Sequence, residues 1–421
     1  MFDVLILGGG FAGLWSAAAA TRLLRAAETG PAGRSRTAET GPVGHSVALL
    51  TPHPDLVLRP RLYEPDPARL RVPLDRVLGP VGVRRIAATA TAVDTVRREV
   101  TATAPDGTRS TVAYRRLVLA TGSAVVRPEL PGAALLHDID TLPAAVRLAD
   151  HLRALPEAPD GPGRWTAVVV GAGFTGLEIA TELVGRLRAL AAPCGAADEV
   201  RVVLVERAEV VGAGLGTEAR PVITRALDEL GVERRLGTTV SRLDERAVHL
   251  ADGSALAART AVWTAGMRAS ALTAQIPAPR DGLGRLAVDG ALRVRGVEGV
   301  YAAGDTAAAG AEGGHTVLQS CQHATPLGKV AGHNAAADLL GLPPADFAPD
   351  PYRTCLDLGA AGAVATIGWN RTLREGPEGF AKELKRAINE TWISPPVDDP
   401  EELLRRADHR VGQRQPVPPP A

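Results

Sequence analysis

The chain has 421 residues, with 47 basic and 47 acidic side chains and a formal net charge of zero. That length accommodates two or three domains and a large core. The charge balance gives no electrostatic handle for nucleic acid or an anionic membrane, no apolar run reaches transmembrane length, and three scattered cysteines (Cys194, Cys321 and Cys355) make neither a disulfide framework nor a zinc site.

Val4 to Leu7 is an unbroken apolar run, as expected of a strand buried on both faces of a parallel sheet. Gly8, Gly10 and Gly13 follow in G-x-G-x-x-G spacing, and Ala12 to Leu24 is rich in helix formers. Strand, glycine turn and helix start together make a dinucleotide cradle. The first glycine turns the chain, the second admits a pyrophosphate, and the third lets helix and strand close up. Free N–H groups and a partial positive charge at the helix start face the phosphates. Gly8, Gly10, Phe11, Ala12 and Gly13 are therefore the first candidate cofactor contacts. The strand continues straight into this turn with no basic region before it, so it reads as core and not as a signal peptide.

Glu28 to His45 holds a near repeat, Ala27-Glu28-Thr29-Gly30-Pro31-Ala32-Gly33 and Ala38-Glu39-Thr40-Gly41-Pro42-Val43-Gly44, and reads as a mobile surface loop without chemistry. Ser46 to Leu50 is the next strand. The position after it, where an acid usually holds ribose hydroxyls, is the uncharged Thr51. Leu56 to Glu64, with Arg59 at its centre, reads as an extended segment entering a proline-rich loop. Short alternating strands with a hairpin at Pro105-Asp106-Gly107 fill Val81 to Ala120 and stop at Ala120-Thr121-Gly122, a small-residue turn that lets backbone approach a ligand.

After a linker at Pro156 to Gly163 the opening theme returns. Ala167 to Val170 is a strand, Gly171-Ala172-Gly173-Phe174-Thr175-Gly176 the turn, and Leu177 to Leu190 the helix. Gly171, Gly173, Thr175 and Gly176 are the matching contacts. The following strand, Arg201 to Val205, ends at Glu206, which suits two ribose hydroxyls and would repel a 2′-phosphate; this favours NADH, while Arg207 leaves NADPH open. Strands with a hairpin at Asp252-Gly253 run on to Thr264-Ala265-Gly266, an echo of the first Thr/Gly turn. Gly299 to Asp305 is a buried strand with Gly304 and an acid at its carboxyl end, where open α/β sheets bind ligands. Thr316 to Leu340 reads as a turn and a long helix, with Pro326 expected in its first turn. Beyond Ala345 the pattern gives a strand at Ala363 to Trp369, a helix from about Gly379 to Trp392, a last helix opening at Asp399-Pro400, and a disordered tail from Gln413.

Two glycine fingerprints, two Thr/Gly turns and a late Gly-Asp resemble the pyridine nucleotide–disulfide oxidoreductase superfamily over residues 1 to about 340. The resemblance implies an α/β fold of two Rossmann-like three-layer domains, the second inserted in the first, followed by a C-terminal α+β region. The expected boundaries are 1–158 with 291–345 for FAD, 159–290 for NAD(P)H, 346–412 for the C-terminal region and 413–421 for the tail. It also implies that Asp305 meets the ribityl–pyrophosphate part of FAD. The paired cysteines of the disulfide reductases are missing, which excludes dithiol chemistry.

Within the superfamily, Arg59-Pro60-Arg61-Leu62-Tyr63-Glu64 and Gly173-Phe174-Thr175-Gly176-Leu177-Glu178 are similar to type II NADH dehydrogenases. That likeness places Arg59 beside the flavin, Glu178 at the nicotinamide side, and Gln322 and His323 at the start of a helix whose N-terminus faces the flavin. Glu178, Gln322 and His323 are accordingly the catalytic candidates. The Gln-Gln pair of those enzymes is absent, for this chain reads Pro326-Leu327-Gly328. Flavin reduction by NADH thus follows from the likeness, whereas quinone reduction at a bilayer does not. The expected partner is a small-molecule electron acceptor, a quinone or a biosynthetic intermediate; the alternative is a ferredoxin-like protein or a monooxygenase. Lys329, Lys382 and Lys385 are expected as solvated charge, Cys321 as packing, and the protein as a reduced, cytoplasmic monomer or homodimer without a metal.

Overall fold

A computed structural model describes residues 1–29 and 44–412. The expected loop between Glu28 and His45 lies almost wholly outside these residues, as does the tail from Gln413.

The apolar runs form two parallel sheets. In the first, Phe2–Leu7 lies between Val47–Thr51 and Arg109–Leu119, with Arg84–Ala87 outside the former and Val300–Ala302 outside the latter. The register pairs Val4 with Val47, Leu5 with Leu117, and Tyr301 with Val118. These central positions are buried because helices cover the sheet. The strand Arg109–Leu119 begins before the parallel core, and there it pairs antiparallel with Glu99–Thr103, which pairs in turn with Thr89–Asp94. The Gly107 N–H closes the expected turn onto the Ala104 carbonyl at 2.9 Å.

The second sheet has the order Glu233–Leu236, Arg201–Glu206, Thr166–Val170, Thr260–Trp263, all parallel, beside a three-stranded antiparallel ribbon over Val240–Ala257. Because Val300–Ala302 returns to the first sheet, this unit is an insertion in the first. A short antiparallel pair, Ser123–Val125 with Met267–Ala269, joins the segments that follow the two Thr/Gly turns.

The C-terminal region is a three-stranded antiparallel sheet (Arg353–Asp357, Ala363–Ile367, Thr372–Leu373) and the helix Phe380–Ala387, which continues as a π-helical turn over Ile388–Trp392. The last helix, Pro400–Arg406, is capped as its sequence suggests: the Asp399 side chain accepts from the Glu402 N–H at 3.0 Å.

Three boundaries differ from expectation. The first helix spans Phe11–Thr29. The segment around Arg59 is a short strand, Asp55–Val57, followed by a 3-10 turn at Arg59–Arg61, since Pro60 supplies no N–H to a ladder. The long helix spans Cys321–Leu340 with Ser320 as its cap, so Pro326 is its sixth residue and lies past the first turn. A proline there gives no N–H to the Gln322 carbonyl.

The helices Phe11–Thr29 and Cys321–Leu340 pack backbone against backbone. A Cβ on Gly328 would collide with the Ala12 carbonyl, and one on Gly332 with the Ser16 carbonyl; the Ser16 hydroxyl donates to the Gly328 carbonyl at 3.0 Å. Gly332→Ala is therefore expected to lower stability by about 1–3 kcal/mol through overpacking, read as a drop in Tm, with an exposed control such as Gly107→Asn nearly neutral.

Candidate functional site

The two glycine turns have the same construction. Gly8 and Gly171 hold φ near +105° (+106° and +104°), which favours glycine. A Cβ on Gly13 would collide with the Gly8 carbonyl, and one on Gly176 with the Gly171 carbonyl. At Gly10 and Gly173 a Cβ would meet nothing within 4 Å. The third glycine of each turn thus closes the helix onto the strand, while the second faces open space.

That space is one cavity of about 1650 Å³. Gly8, Gly10, Phe11, Ala12, Thr51, Arg59, Ala120, Thr121, Gly122, Gly304, Asp305, Gln322 and His323 line it, and so do Gly173, Thr175 and Glu178 of the second unit. Gly13, Gly171 and Gly176 stand behind the turns, and Gly266 and Glu206 lie outside the cavity wall. Glu206 braces the second turn: its carboxylate accepts the Ala172 N–H at 2.6 Å and the Ala208 N–H at 2.9 Å.

Arg59 is the hub of the first unit's polar wall. It pairs with Asp140, donates to Ser123 Oγ at 3.2 Å, and lies 3.6 Å from Asp305. The Ser123 hydroxyl donates to Asp305 at 2.6 Å. Burial pushes the Asp305 carboxyl up, and the Ser123 hydroxyl and the Arg59 charge oppose that push. Ser123 and Asp140 had no motif to mark them; only the place of Ser123 just after Thr121-Gly122 could have suggested it. Thr121 Oγ1 is buried with no hydrogen-bond partner among the described residues. A ligand rich in hydroxyl and phosphate groups fits this wall: it would satisfy Thr121, share Asp305, and lie on the open side of Gly10.

Glu178 sits at the junction of the second unit with the C-terminal region. Its Oε1 accepts from Lys385 Nζ at 2.7 Å and from the Asp357 N–H at 3.2 Å, and both charged side chains are only 7% exposed. Burial raises the Glu178 carboxyl against the pull of Lys385; the Lys385 ammonium, which burial alone would lower, is held up by Glu178. Around the pair, Tyr63 donates to Asp357 at 3.1 Å and Asn389 donates to the Tyr63 hydroxyl at 3.1 Å. Lys385 is thus buried and paired, contrary to the expectation of solvated charge. Lys329 is also buried: it donates to the Val411 carbonyl at 2.9 Å and lies over the Trp15 ring, and burial pushes its ammonium down to about 8. Both were misread because the periodicity of a helix does not reveal a C-terminal segment folding over it.

Gln322 spans the Pro351 carbonyl and the Arg353 N–H at 3.4 and 3.3 Å, so it fastens the C-terminal sheet to the long helix. His323 is almost fully buried and burial pushes its imidazole down to about 4. The Leu318 N–H donates to its Nδ1 at 3.3 Å, which fixes the remaining proton on Nε2. Its ring stacks on Tyr352 (5.1 Å), which stacks on Trp369 (4.9 Å). Cys321 lines the cavity as a neutral thiol, pushed up to about 11 by burial, and it is free, as is Cys355.

A family model described as pyridine nucleotide-disulphide oxidoreductase matches residues 2–328. The chain belongs to this family. It is 45% identical over 417 residues to an NADH dehydrogenase-like protein of Mycobacterium tuberculosis, covering 98% of this chain and 100% of that one. It is 26% identical over 373 residues to the demethylphylloquinone reductase of a Synechocystis strain, covering 86% and 85%. Among solved structures, NDH2 of Plasmodium falciparum in complex with NADH matches with a TM-score of 0.73 over 96% of this chain and 97% of that chain; at 11% identity the likeness is one of fold. Like other pyridine nucleotide-disulphide oxidoreductases, the protein is an FAD-dependent enzyme that uses NAD(P)H.

Two outcomes follow for this oxidoreductase. Lys385→Met strands the Glu178 carboxylate in the interior and is expected to cost about 3–5 kcal/mol, most of it recovered in the Glu178→Gln/Lys385→Met double variant; chemical denaturation of the four proteins checks this. His137, His323 and His333 are all pushed down to about 4 by burial, from an ordinary value of 6.5. The unfolded chain therefore binds more protons than the folded one between those values, and the stabilising contribution, full above pH 6.5, is lost as pH falls toward 4. Thermal unfolding across that window should show Tm falling with acidification, less steeply in His333→Asn.

Proposed function

We propose that the enzyme reduces a quinone with NADH in a two-electron reaction, NADH + H⁺ + quinone → NAD⁺ + hydroquinone. The observation that carries the reading is that both glycine turns open into a single cavity. FAD, when bound, supplies the redox chemistry by accepting hydride equivalents and passing them to the acceptor. The relatives support a quinone: one is named a demethylphylloquinone reductase and several others type II NADH:quinone oxidoreductases.

In this reading residues 1–158 with 291–345 form the FAD unit and 159–290 the NADH unit. Gly8 to Gly13 and Thr121 hold the FAD phosphates and ribose, with Thr51 at the adenosine end. Asp305 accepts hydrogen bonds from FAD hydroxyls, held for the task by Ser123 and Arg59. The N-terminal turn of the helix at Cys321 directs its free N–H groups and dipole at the same ligand, which favours negative charge there. Gly173 and Thr175 take the NADH pyrophosphate; Glu206, outside the cavity wall, braces the turn that presents them, and its charge disfavours a 2′-phosphate beside it. Glu178 positions Lys385, whose Nζ is the acid we assign to protonate a quinone oxygen. Neutral His323 offers Nε2–H as a donor whose state does not change near neutral pH. Gln322 keeps the C-terminal wall in place. Among the described residues no helix is long and apolar enough to cross a membrane.

Purified enzyme should carry flavin and oxidise one NADH per soluble naphthoquinone reduced, with NADH preferred to NADPH. Asp305→Ala should lose most of its bound FAD while remaining folded. Protein that takes up no FAD, or that turns over only with a ferredoxin-like protein, would contradict the reading.

A further inference from the structure

The cavity has a cation that the two Rossmann units do not supply. Arg371 lies in the hairpin between the last two strands of the C-terminal sheet, and it lines the cavity together with Phe174, Thr175 and Leu215 of the second unit. Its backbone is left-handed (φ 57°), although it is not glycine. Such a residue costs about 1 kcal/mol and tends to be kept where its side chain has work to do. Its guanidinium rests 4.4 Å above the Tyr352 ring and donates to the Tyr352 hydroxyl at 3.1 Å. Among the described residues it forms no ion pair with a carboxylate.

The opposing surface is shaped to receive it. A Cβ on Gly216 would collide with the Arg371 Cβ, so this loop of the second unit closes directly on the arginine. The same loop is tied to the second glycine turn, because the Gly212 N–H donates to the Ala172 carbonyl at 3.2 Å. An arginine with no acid of its own is thereby fixed against the loop that hangs from the dinucleotide turn. Arginine in this state is a fork of donors for a phosphate.

We propose that Arg371 binds the pyrophosphate of NADH from the side opposite the Phe174–Ala191 helix, so that the C-terminal region completes the dinucleotide site. This rests on the proposed use of NADH and adds a specificity-determining residue from outside the Rossmann unit. The helix start neutralises the phosphates from one side with N–H groups, and Arg371 does so from the other with a full charge.

The test compares NADH with reduced nicotinamide riboside, which has the same ring and ribose but no phosphate, and measures ADP-ribose binding by calorimetry. In the FAD-loaded enzyme, Arg371→Ala should weaken ADP-ribose binding about ten-fold or more and raise KM for NADH to match. Flavin reduction by the riboside, and KM for the naphthoquinone, should stay unchanged. Arg371→Lys should fall between. Arg371→Gly relieves the left-handed backbone and should lose the same affinity with Tm kept. Equal losses with both reductants, a change confined to the quinone KM, or a fall in Tm with unaltered ADP-ribose affinity would each overturn the proposal. Absence of NADH oxidation by the unmodified enzyme would instead count against the proposed function itself.

Discussion

A phosphate can be held by bare backbone only where strand, turn and helix come close enough to leave amide groups facing it. Both glycine turns meet that constraint in the same way. Gly13 and Gly176 have no room for a side chain because the Gly8 and Gly171 carbonyls lie where it would go. Everything else in the site is arranged around the two gaps thus opened. The Thr/Gly turns at Thr121 and Thr264 stand beside the turns, and the helix at Cys321 presses on the first helix through Gly328 and Gly332.

The C-terminal region ties these parts together by burying charge. Glu178 from the second unit, Lys385 and Asp357 from the C-terminal region, and Tyr63 from the first unit form one hydrogen-bonded cluster. Removing one member costs more than the bond it makes, because its partner would be left charged in a dry interior. The cluster therefore specifies one relative placement of three segments far apart in sequence. It also puts an ammonium and a carboxylate on the cavity wall.

The parallel sheets were legible from sequence because their strands are short apolar runs that end in glycine turns, and Val4–Leu7 and Ala167–Val170 leave little ambiguity. Asp399-Pro400 likewise announced its helix through a local cap. What the sequence hid was long-range. Lys329 and Lys385 look like exposed helix lysines until Val411 and Glu178 are folded over them. Ser123 and Asp140 carry no motif and matter only because Arg59, more than sixty residues before them in the chain, reaches between them. Pro326 is the sixth residue of the helix that Ser320 caps, so it lies inside the helix, where packing against the first helix and not local propensity decides what is tolerated.

The proposed function requires the nicotinamide of NADH to meet the flavin in the cavity that both glycine turns share. NADH deuterated in turn at each of its two C4 positions, mixed anaerobically with the flavin-loaded enzyme, tests it directly. If the rings are held face to face, deuterium at one position slows flavin bleaching several-fold and deuterium at the other leaves it nearly unchanged. Bleaching slowed equally by either label would mean that no fixed face of the nicotinamide meets the flavin, and the shared cavity would not be where hydride passes.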